Sequence, residues 1–172
     1  FGSSRVIDDF LNCDVLTLKK APQIRGSFNL AKYNKHNFSC QAGKIKKLKV
    51  FPDKIDLGEQ IKTPGFLMEV LRSDEGLLEK FGQSTFTVTH EGAIKGFHWH
   101  KKQDDLWFIA AGRAMVVLYD LRESSRTKGE TQVIMAGDND YQLIVIPKGV
   151  AHGYRVIGKD PVLLFYHTTE CY

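Results

Sequence analysis

The alternation of hydrophobic and polar positions changes character near residue 44. From there to the last residue the apolar runs are short, rich in β-branched and aromatic residues, and broken by Gly, Pro, Asp or Asn. Runs of this kind are typical of strands and not of helices. They predict strands in "KIKKLKVF" (44–51), "GFLMEVL" (65–71), "STFTVTHE" (84–91), "IKGFHWH" (94–100), "LWFIAAGRAMVVLYDLR" (106–122), "TQVIMAG" (131–137), "YQLIVIP" (141–147), "AHGYRVIG" (151–158) and "VLLFYHTT" (162–169).

The spacing of these runs indicates an all-β domain. Gly112 divides the longest run into two strands, and "DEGLLEKF" (74–81) is the one helical turn expected between strands. Many short strands at near-regular spacing are typical of a sandwich or a barrel. Residues 1–44 lack this pattern of short β-branched and aromatic runs. We expect a short helix near 6–12 and a strand near 14–19. We expect these residues to form an extension that packs on the main domain or on a partner subunit.

Composition and charge narrow the class of protein. Hydrophobic residues make up 42% of the chain and charged residues 26%, as in ordinary globular proteins. The net charge of +4 suits a small anionic ligand such as a nucleotide, and the scattered lysines form no basic stripe for nucleic acid. No apolar run is long enough for a membrane span. Cys13, Cys40 and Cys171 form no metal or disulfide pattern, so we expect free thiols and a cytoplasmic protein.

The segment "GAIKGFHWHKKQDD" (92–105) carries the candidate chemistry. On a strand, side chains alternate between faces, so His98 and His100 are expected to point the same way. His152 follows a Pro-x-Gly turn and is expected to begin a new strand. Histidine titrates near neutral pH and suits an acid–base centre. As a second interpretation, the three imidazoles and Asp105 form a set that suits Fe(II), Mn(II), Ni(II) or Zn(II). A third interpretation is that they are ordinary hydrogen-bonded strand histidines.

The spacing around these residues resembles the cupin superfamily. Gly92-x5-His98-x-His100-x4-Asp105-x6-Gly112 is similar to the first cupin motif, with Asp in the usual place of Glu, and Pro147-x-Gly149-x-x-His152 is similar to the second. The resemblance implies a double-stranded β-helix, a jelly-roll barrel, over residues 45–172.

A longer series of motifs resembles one branch of that superfamily. "IKKLKVFPD", "GFLMEVLRSDE", "EKFGQSTFTV", "GAIKGFHWHKKQDD", "VVLYDLRESS", "IPKGVAHGY" and "HTTECY" are similar, in order, to the dTDP-4-dehydrorhamnose 3,5-epimerase family. The resemblance implies an isomerase that epimerises carbons beside the ketone of a nucleotide-linked 4-keto-6-deoxy sugar, without a redox cofactor. It also implies a homodimer.

The resemblance assigns roles to individual residues. It implies that His98 is the general base and Tyr166 the proton donor, with His100 and His152 shaping the pocket. Lys95, in the place of a family arginine, Glu69 and Arg72 are implied to hold the ligand, Glu69 often across a dimer interface.

Two departures from the family pattern keep other functions open. A family lysine that steadies the enolate is missing, since Gln103 is followed by Asp104 and Asp105, and an arginine-bearing turn is replaced by "PDKIDLGEQIKTPG" (52–65). The alternatives to an epimerase are a metal-dependent cupin, with His98, His100, Asp105 and His152 as ligands, and a non-catalytic module that binds sugar nucleotides. A metal-bound His98 could not act as a free base.

Overall fold

Strands dominate the computed structural model, which describes residues 42–56, 61–62 and 64–171. Of residues 55, 56, 61 and 62 it describes only the strand assignment. The strands are β1 Lys44–Lys47, β2 Val50–Pro52, β3 Ile55–Asp56, β4 Ile61–Lys62, β5 Phe66–Met68, β6 Gln83–Thr89, β7 Ile94–His98, β8 Asp105–Ala111, β9 Arg113–Asp120, β10 Thr131–Gly137, β11 Gln142–Ile146, β12 Val150–Val156 and β13 Val162–Thr168, with one 3₁₀ turn at Ser73–Glu75.

Two antiparallel sheets face each other. One has five strands in the order β1-β11-β8-β13-β6 and the other has four in the order β10-β9-β12-β7, while β2 pairs with β5 and β3 with β4 in small separate sheets. Alternate residues of the two large sheets meet in one core, with Trp107, Ile109 and Leu164 from the first and Val116 and Tyr154 from the second. This arrangement confirms the predicted all-β jelly roll.

The outer face of the five-stranded sheet is also apolar and is covered by the chain that precedes β6. Leu106, Phe108 and Leu143 point outward because they alternate with inward-facing neighbours. The end of β5 and the segment that follows it pack on them through Met68, Val70, Leu71, Leu77 and Leu78. The predicted helical turn at 74–81 is reduced to Ser73–Glu75, and the residues after it extend across the sheet instead.

Two turns lie where the sequence predicts that one strand ends and the next begins. Gly112 separates β8 from β9 with a φ of 71°, and a Cβ there would lie 2.3 Å from the carbonyl oxygen of Pro161. Only glycine fits both constraints. In the turn before β12, the Val150 amide donates to the Pro147 carbonyl at 3.1 Å, so a new strand begins two residues before His152.

Several expectations fall outside the described residues. These are the helix near 6–12, the strand near 14–19 and the thiols of Cys13 and Cys40. The separation of residues 1–44 from 45–172 stays a prediction, although β1 begins at Lys44 and Ala42 packs in the core. Cys171 is a free, exposed thiol. Within the described part of the chain, no helix has the length and apolar character needed to cross a membrane.

Candidate active site

The site begins where β7 and β12 approach most closely. A Cβ on Gly96, whose φ is 136°, would lie 2.6 Å from the Cα of Gly153, so these two glycines let the backbones touch. The ladder carries an irregularity between His152 and Tyr154, and beyond it His98 is the direct partner of His152. Their ring centroids are 4.3 Å apart and nearly perpendicular.

His100 joins this pair although β7 ends at His98. The carbonyl of His100 accepts a hydrogen bond from the Gly149 amide at 2.8 Å, which ties the chain after β7 to the turn before β12. The His100 ring centroid lies 5.2 Å from that of His98 and 5.6 Å from that of His152. The three imidazoles therefore lie together, and for His98 and His100 this agrees with the alternation of side chains along a strand.

Asp105, the first residue of β8, brings a carboxylate from the opposite sheet. It is 1% exposed, and it accepts hydrogen bonds from Gln103 Nε2 at 2.7 Å and Trp107 Nε1 at 3.3 Å. Its Oδ1 lies 3.8 Å from His100 Nε2 and its Oδ2 lies 3.5 Å from His152 Nε2. One ligand atom each from His98, His100, Asp105 and His152 lie within 4.8 Å of one another.

Desolvation and crowding keep the imidazoles of His98 and His100 neutral. The pKa of His98 is lowered from 6.5 to about 4, mainly by the partial desolvation of its ring inside the cluster and then by the neighbouring imidazoles, while the Asp105 carboxylate acts in the opposite direction. Burial also lowers the pKa of His100. For Asp105, burial acts to raise the pKa, but contacts with His152 and Gln103 outweigh it and the pKa falls below its ordinary value. At neutral pH the site therefore combines the neutral imidazoles of His98 and His100 with an ionised carboxylate.

Aromatic rings form the wall behind the cluster. The Trp107 ring stands edge-on to His152 at 5.1 Å and to Tyr154 at 5.6 Å. The Tyr154 hydroxyl lies 2.6 Å from Thr89 Oγ1, and burial raises the pKa of this tyrosine. The supporting roles of Gln103 and Trp107 were not predicted from the sequence. Their positions two residues either side of Asp105, hence on the same face of an extended chain, are the signal that was available.

Comparison with known proteins decides the family. A family model described as dTDP-4-dehydrorhamnose 3,5-epimerase matches residues 62–172. The chain belongs to this family. The dTDP-4-dehydrorhamnose 3,5-epimerase family consists of enzymes that epimerise nucleotide-linked sugars, which confirms the family and the enzyme class predicted from the order of the motifs.

Individual members of the dTDP-4-dehydrorhamnose 3,5-epimerase family and their relatives show how far the similarity extends. The chain is 56% identical over 108 residues to the spore coat polysaccharide biosynthesis protein SpsL of Bacillus subtilis, covering 63% of this chain and 72% of that protein. It is 35% identical to the probable low-salt glycan biosynthesis epimerase Agl13 of Haloferax volcanii, covering 68% and 76%. A Legionella pneumophila dTDP-6-deoxy-D-glucose-3,5-epimerase, solved with dTDP-4-keto-L-rhamnose, superposes with a TM-score of 0.67 at 26% identity, covering 79% and 71%.

Tyr166, the proton donor implied by the epimerase family, faces the same interior as the histidines. It is the ladder partner of Trp107 in the five-stranded sheet and packs against the inner core. Its ring centroid is 6.5 Å from that of Trp107. Tyr166 and His98 therefore come from opposite sheets, an arrangement that suits a base and an acid on two faces of a sugar.

The residues expected to hold the ligand are not gathered at the cluster. Lys95 is exposed and donates a hydrogen bond to Thr87 Oγ1. Arg72 pairs with Glu69 at 3.2 Å and with Asp74 at 2.7 Å. The neighbours Met68, Val70 and Leu71 pack on the outer face of the five-stranded sheet. Glu69 and Arg72 thus belong to the layer on the far side of that sheet from the histidines, and their role in binding stays a prediction.

Proposed function

We propose that this protein is an epimerase that acts on a nucleotide-linked 4-keto-6-deoxy sugar by removing a proton beside the ketone. Its place would be in the synthesis of deoxysugars for surface polysaccharides. The observation that carries the proposal is the position of the His98 imidazole, which is the ladder partner of His152, lies 4.3 Å from it between ring centroids, and stands beside the buried carboxylate of Asp105. The names of relatives such as SpsL and the ligand of the Legionella structure support this substrate class.

His98 acts as the base in this proposal. Its pKa of about 4 leaves the ring neutral at pH 7, ready to accept a proton. Proton abstraction creates an imidazolium within reach of the Asp105 carboxylate, whose charge favours the protonated form. Because a base with so low a pKa is weak, the sugar ketone must be strongly polarised for the carbon–hydrogen bond to ionise.

Tyr166 acts as the acid in this proposal. The enolate is planar, so a proton returned from the face opposite His98 inverts the carbon. Oxidation state is unchanged over the cycle, and the chemistry itself calls for no redox cofactor. His100 and His152 shape the pocket around the reacting carbons.

Binding of the nucleotide would draw on the cationic side chains. The proposal assigns Lys95 and Arg72 to the phosphates and Glu69 to the nucleotide sugar. Since Glu69 and Arg72 lie on the outer face of the five-stranded sheet, their contribution to a site requires a second copy of the chain, and we propose a homodimer for this reason. The cytoplasmic location expected from the sequence belongs to the same proposal.

Deuterium exchange tests the activity directly. The protein is incubated in heavy water with dTDP-4-keto-6-deoxyglucose, and the carbons beside the ketone are followed by NMR. We expect solvent deuterium to enter at one or both carbons, with inversion. Binding of the nucleotide sugar without exchange would instead identify a non-catalytic binding module.

A further inference from the structure

Two connections between the large sheets meet at the end of the barrel that carries the histidines. The chain crosses from the four-stranded to the five-stranded sheet over residues 99–104, between β7 and β8. It crosses back over residues 147–149, between β11 and β12. The first connection carries His100 and ends at Asp104, and the second leads directly into the strand that carries His152.

Two successive amides of the second connection donate hydrogen bonds to the first. The Lys148 amide donates to Asp104 Oδ1 at 2.7 Å, and the Gly149 amide donates to the His100 carbonyl at 2.8 Å. A hydrogen bond to a carboxylate is shorter and stronger than one between neutral groups. The Asp104 carboxylate therefore holds the turn that enters β12 against the chain that enters β8.

Asp104 is also attached to the strand that carries the proposed acid. Its amide donates to Thr169 Oγ1 at 2.9 Å, and its carbonyl accepts from the Thr169 amide at 3.1 Å. Thr169 is buried, follows β13 directly and lies three residues after Tyr166. The main chain of Asp104 thus holds the end of β13, while its side chain holds the turn before β12.

These contacts matter because the proposed base and acid come from different sheets. His98 is placed by its ladder with His152 in the four-stranded sheet, and Tyr166 by its ladder with Trp107 in the five-stranded one. A ladder joins strands of the same sheet, so it does not set the separation between two sheets. Core packing and the connections between the sheets set that separation.

We propose that Asp104 is a positioning residue, which holds the two sides of the site at the separation that a sugar between His98 and Tyr166 requires. This role rests on the proposed function. Misplacement of a reacting group by about 1 Å can cost about 10²-fold in rate. Inversion uses both the base and the acid, whereas exchange on one face uses the base alone. Loss of the Asp104 contact should therefore reduce inversion more than exchange.

Variants of Asp104 test the hydrogen bond. Exchange and inversion of dTDP-4-keto-6-deoxyglucose in heavy water are followed by NMR, and KM and kcat are measured for each. In Asp104→Ala we expect kcat for inversion to fall about tenfold, and exchange to fall by less than about threefold. Asp104→Asn keeps an acceptor oxygen and should stay within about threefold of the parent in both reactions.

A second variant removes the same hydrogen bond from its donor side. The Val150 amide donates to the Pro147 carbonyl and Gly149 has a φ of 82°, which is a type II turn that favours proline at position 148. Lys148→Pro therefore fits the turn and loses only the amide hydrogen and the lysine side chain. It should match Asp104→Ala, and the double variant should show no further loss. Lys148→Ala keeps the amide and is the matched control.

A similar hydrogen bond at the opposite end of β8 separates positioning from stability. Asp138 Oδ2 accepts from the Gly112 amide at 3.0 Å. Asp138→Ala should lower the melting temperature about as much as Asp104→Ala does, and it should keep the parent rate of inversion. Equal loss of inversion in the two variants would reduce Asp104 to a contributor to stability and overturn the proposal.

Motion of the turn gives a readout that is independent of activity. By ¹⁵N relaxation without ligand, the Lys148 and Gly149 amides should have order parameters of about 0.85 in the parent and in Asp104→Asn, falling towards about 0.6 in Asp104→Ala. Unchanged order in Asp104→Ala overturns the proposal, as does parent-like inversion in Asp104→Ala or failure of Asp104→Asn to restore it. A parent without exchange or inversion, in which Asp104→Ala still loosens the turn, removes the epimerase and leaves Asp104 as the residue that joins the two sides of the site.

Discussion

His98 and His152 are direct partners across the β7–β12 ladder, and their rings meet at 4.3 Å. Backbone pairing between two strands places these rings, together with the contact between Gly96 and Gly153. Replacement of either imidazole therefore removes a functional group while the framework that positions the other persists.

Replacement of the base should abolish the chemistry and spare the fold. His98→Asn removes the proton acceptor from an exposed position, so we expect deuterium exchange into the 4-keto sugar to fall by about 10²–10⁴-fold. The melting temperature should stay within a few degrees of the parent. NMR of the sugar and a thermal melt measure the two effects, with His90→Asn as control. Exchange at the parent rate in His98→Asn would assign the base elsewhere.

Loss of the acid should separate exchange from inversion. In Tyr166→Phe the base still removes and returns the proton on its own face, so solvent exchange continues while formation of the inverted product falls by about 10²-fold. Both are followed in one NMR experiment. Tyr119→Phe, on a strand of the other sheet, is the matched control and should epimerise normally. Equal loss of exchange and inversion in Tyr166→Phe would contradict a role limited to reprotonation.

The Gly112 turn should tolerate no side chain. Gly112→Ala combines the cost of a positive φ, about 1–2 kcal/mol, with the approach of a Cβ to within 2.3 Å of Pro161 O. We expect a total loss of about 3 kcal/mol in the free energy of unfolding, since overpacking adds a further cost of about 1–3 kcal/mol. Gly92→Ala is the matched control, because Gly92 has a φ of 78° but no atom within 4 Å of the added Cβ. Urea denaturation measures both, and equal losses would show that the steric contact has no effect.

Acid should destabilise the protein before its carboxylates titrate. Unfolded histidines bind protons below about pH 6.5, whereas folded His98 binds one only near pH 4. Between these values the unfolded state holds more protons, so the free energy of unfolding falls as the pH falls. The lowered pKa of Asp105 extends the loss below pH 4.

Urea midpoints at pH 7.0, 5.5 and 4.5 measure this effect. The midpoint should fall at each step, and His98→Asn should fall less between pH 7.0 and 4.5 than the parent does. A parent midpoint that does not change over this range would show that His98 titrates alike in the folded and unfolded states.

The strands after residue 82 were predictable because their pattern is local. Short runs rich in β-branched and aromatic residues placed β6 to β13 within about two residues of their observed ends, and Gly112 and the Pro147 turn divided them correctly. Alternation added the orientation of the histidines, since it placed His98 and His100 on one side. The convergence of Asp105 on them from the other sheet depends on how two sheets close, which alternation does not encode, and it was expected only through the motif resemblance.

The segment before β6 was less predictable for a physical reason. Strands β2 to β5 are two or three residues long, too short for a repeating pattern. The position of Met68, Val70 and Leu71 is set by a sheet formed largely from residues after 100. The packing of these three neighbours places Glu69 and Arg72 on the outer side of the sheet. The motif that they share with the family did not indicate which face of the sheet they would occupy.

The cluster also has a mechanical consequence. Asp105 begins a strand of the five-stranded sheet, while His98 and His152 belong to the four-stranded one. Any group that binds Asp105 and His152 together fastens the two halves of the barrel at one end, and its binding energy adds to the work needed to part them. Binding at the site would then slow amide hydrogen exchange along β8 and β12, and not only at the few residues that touch the bound group.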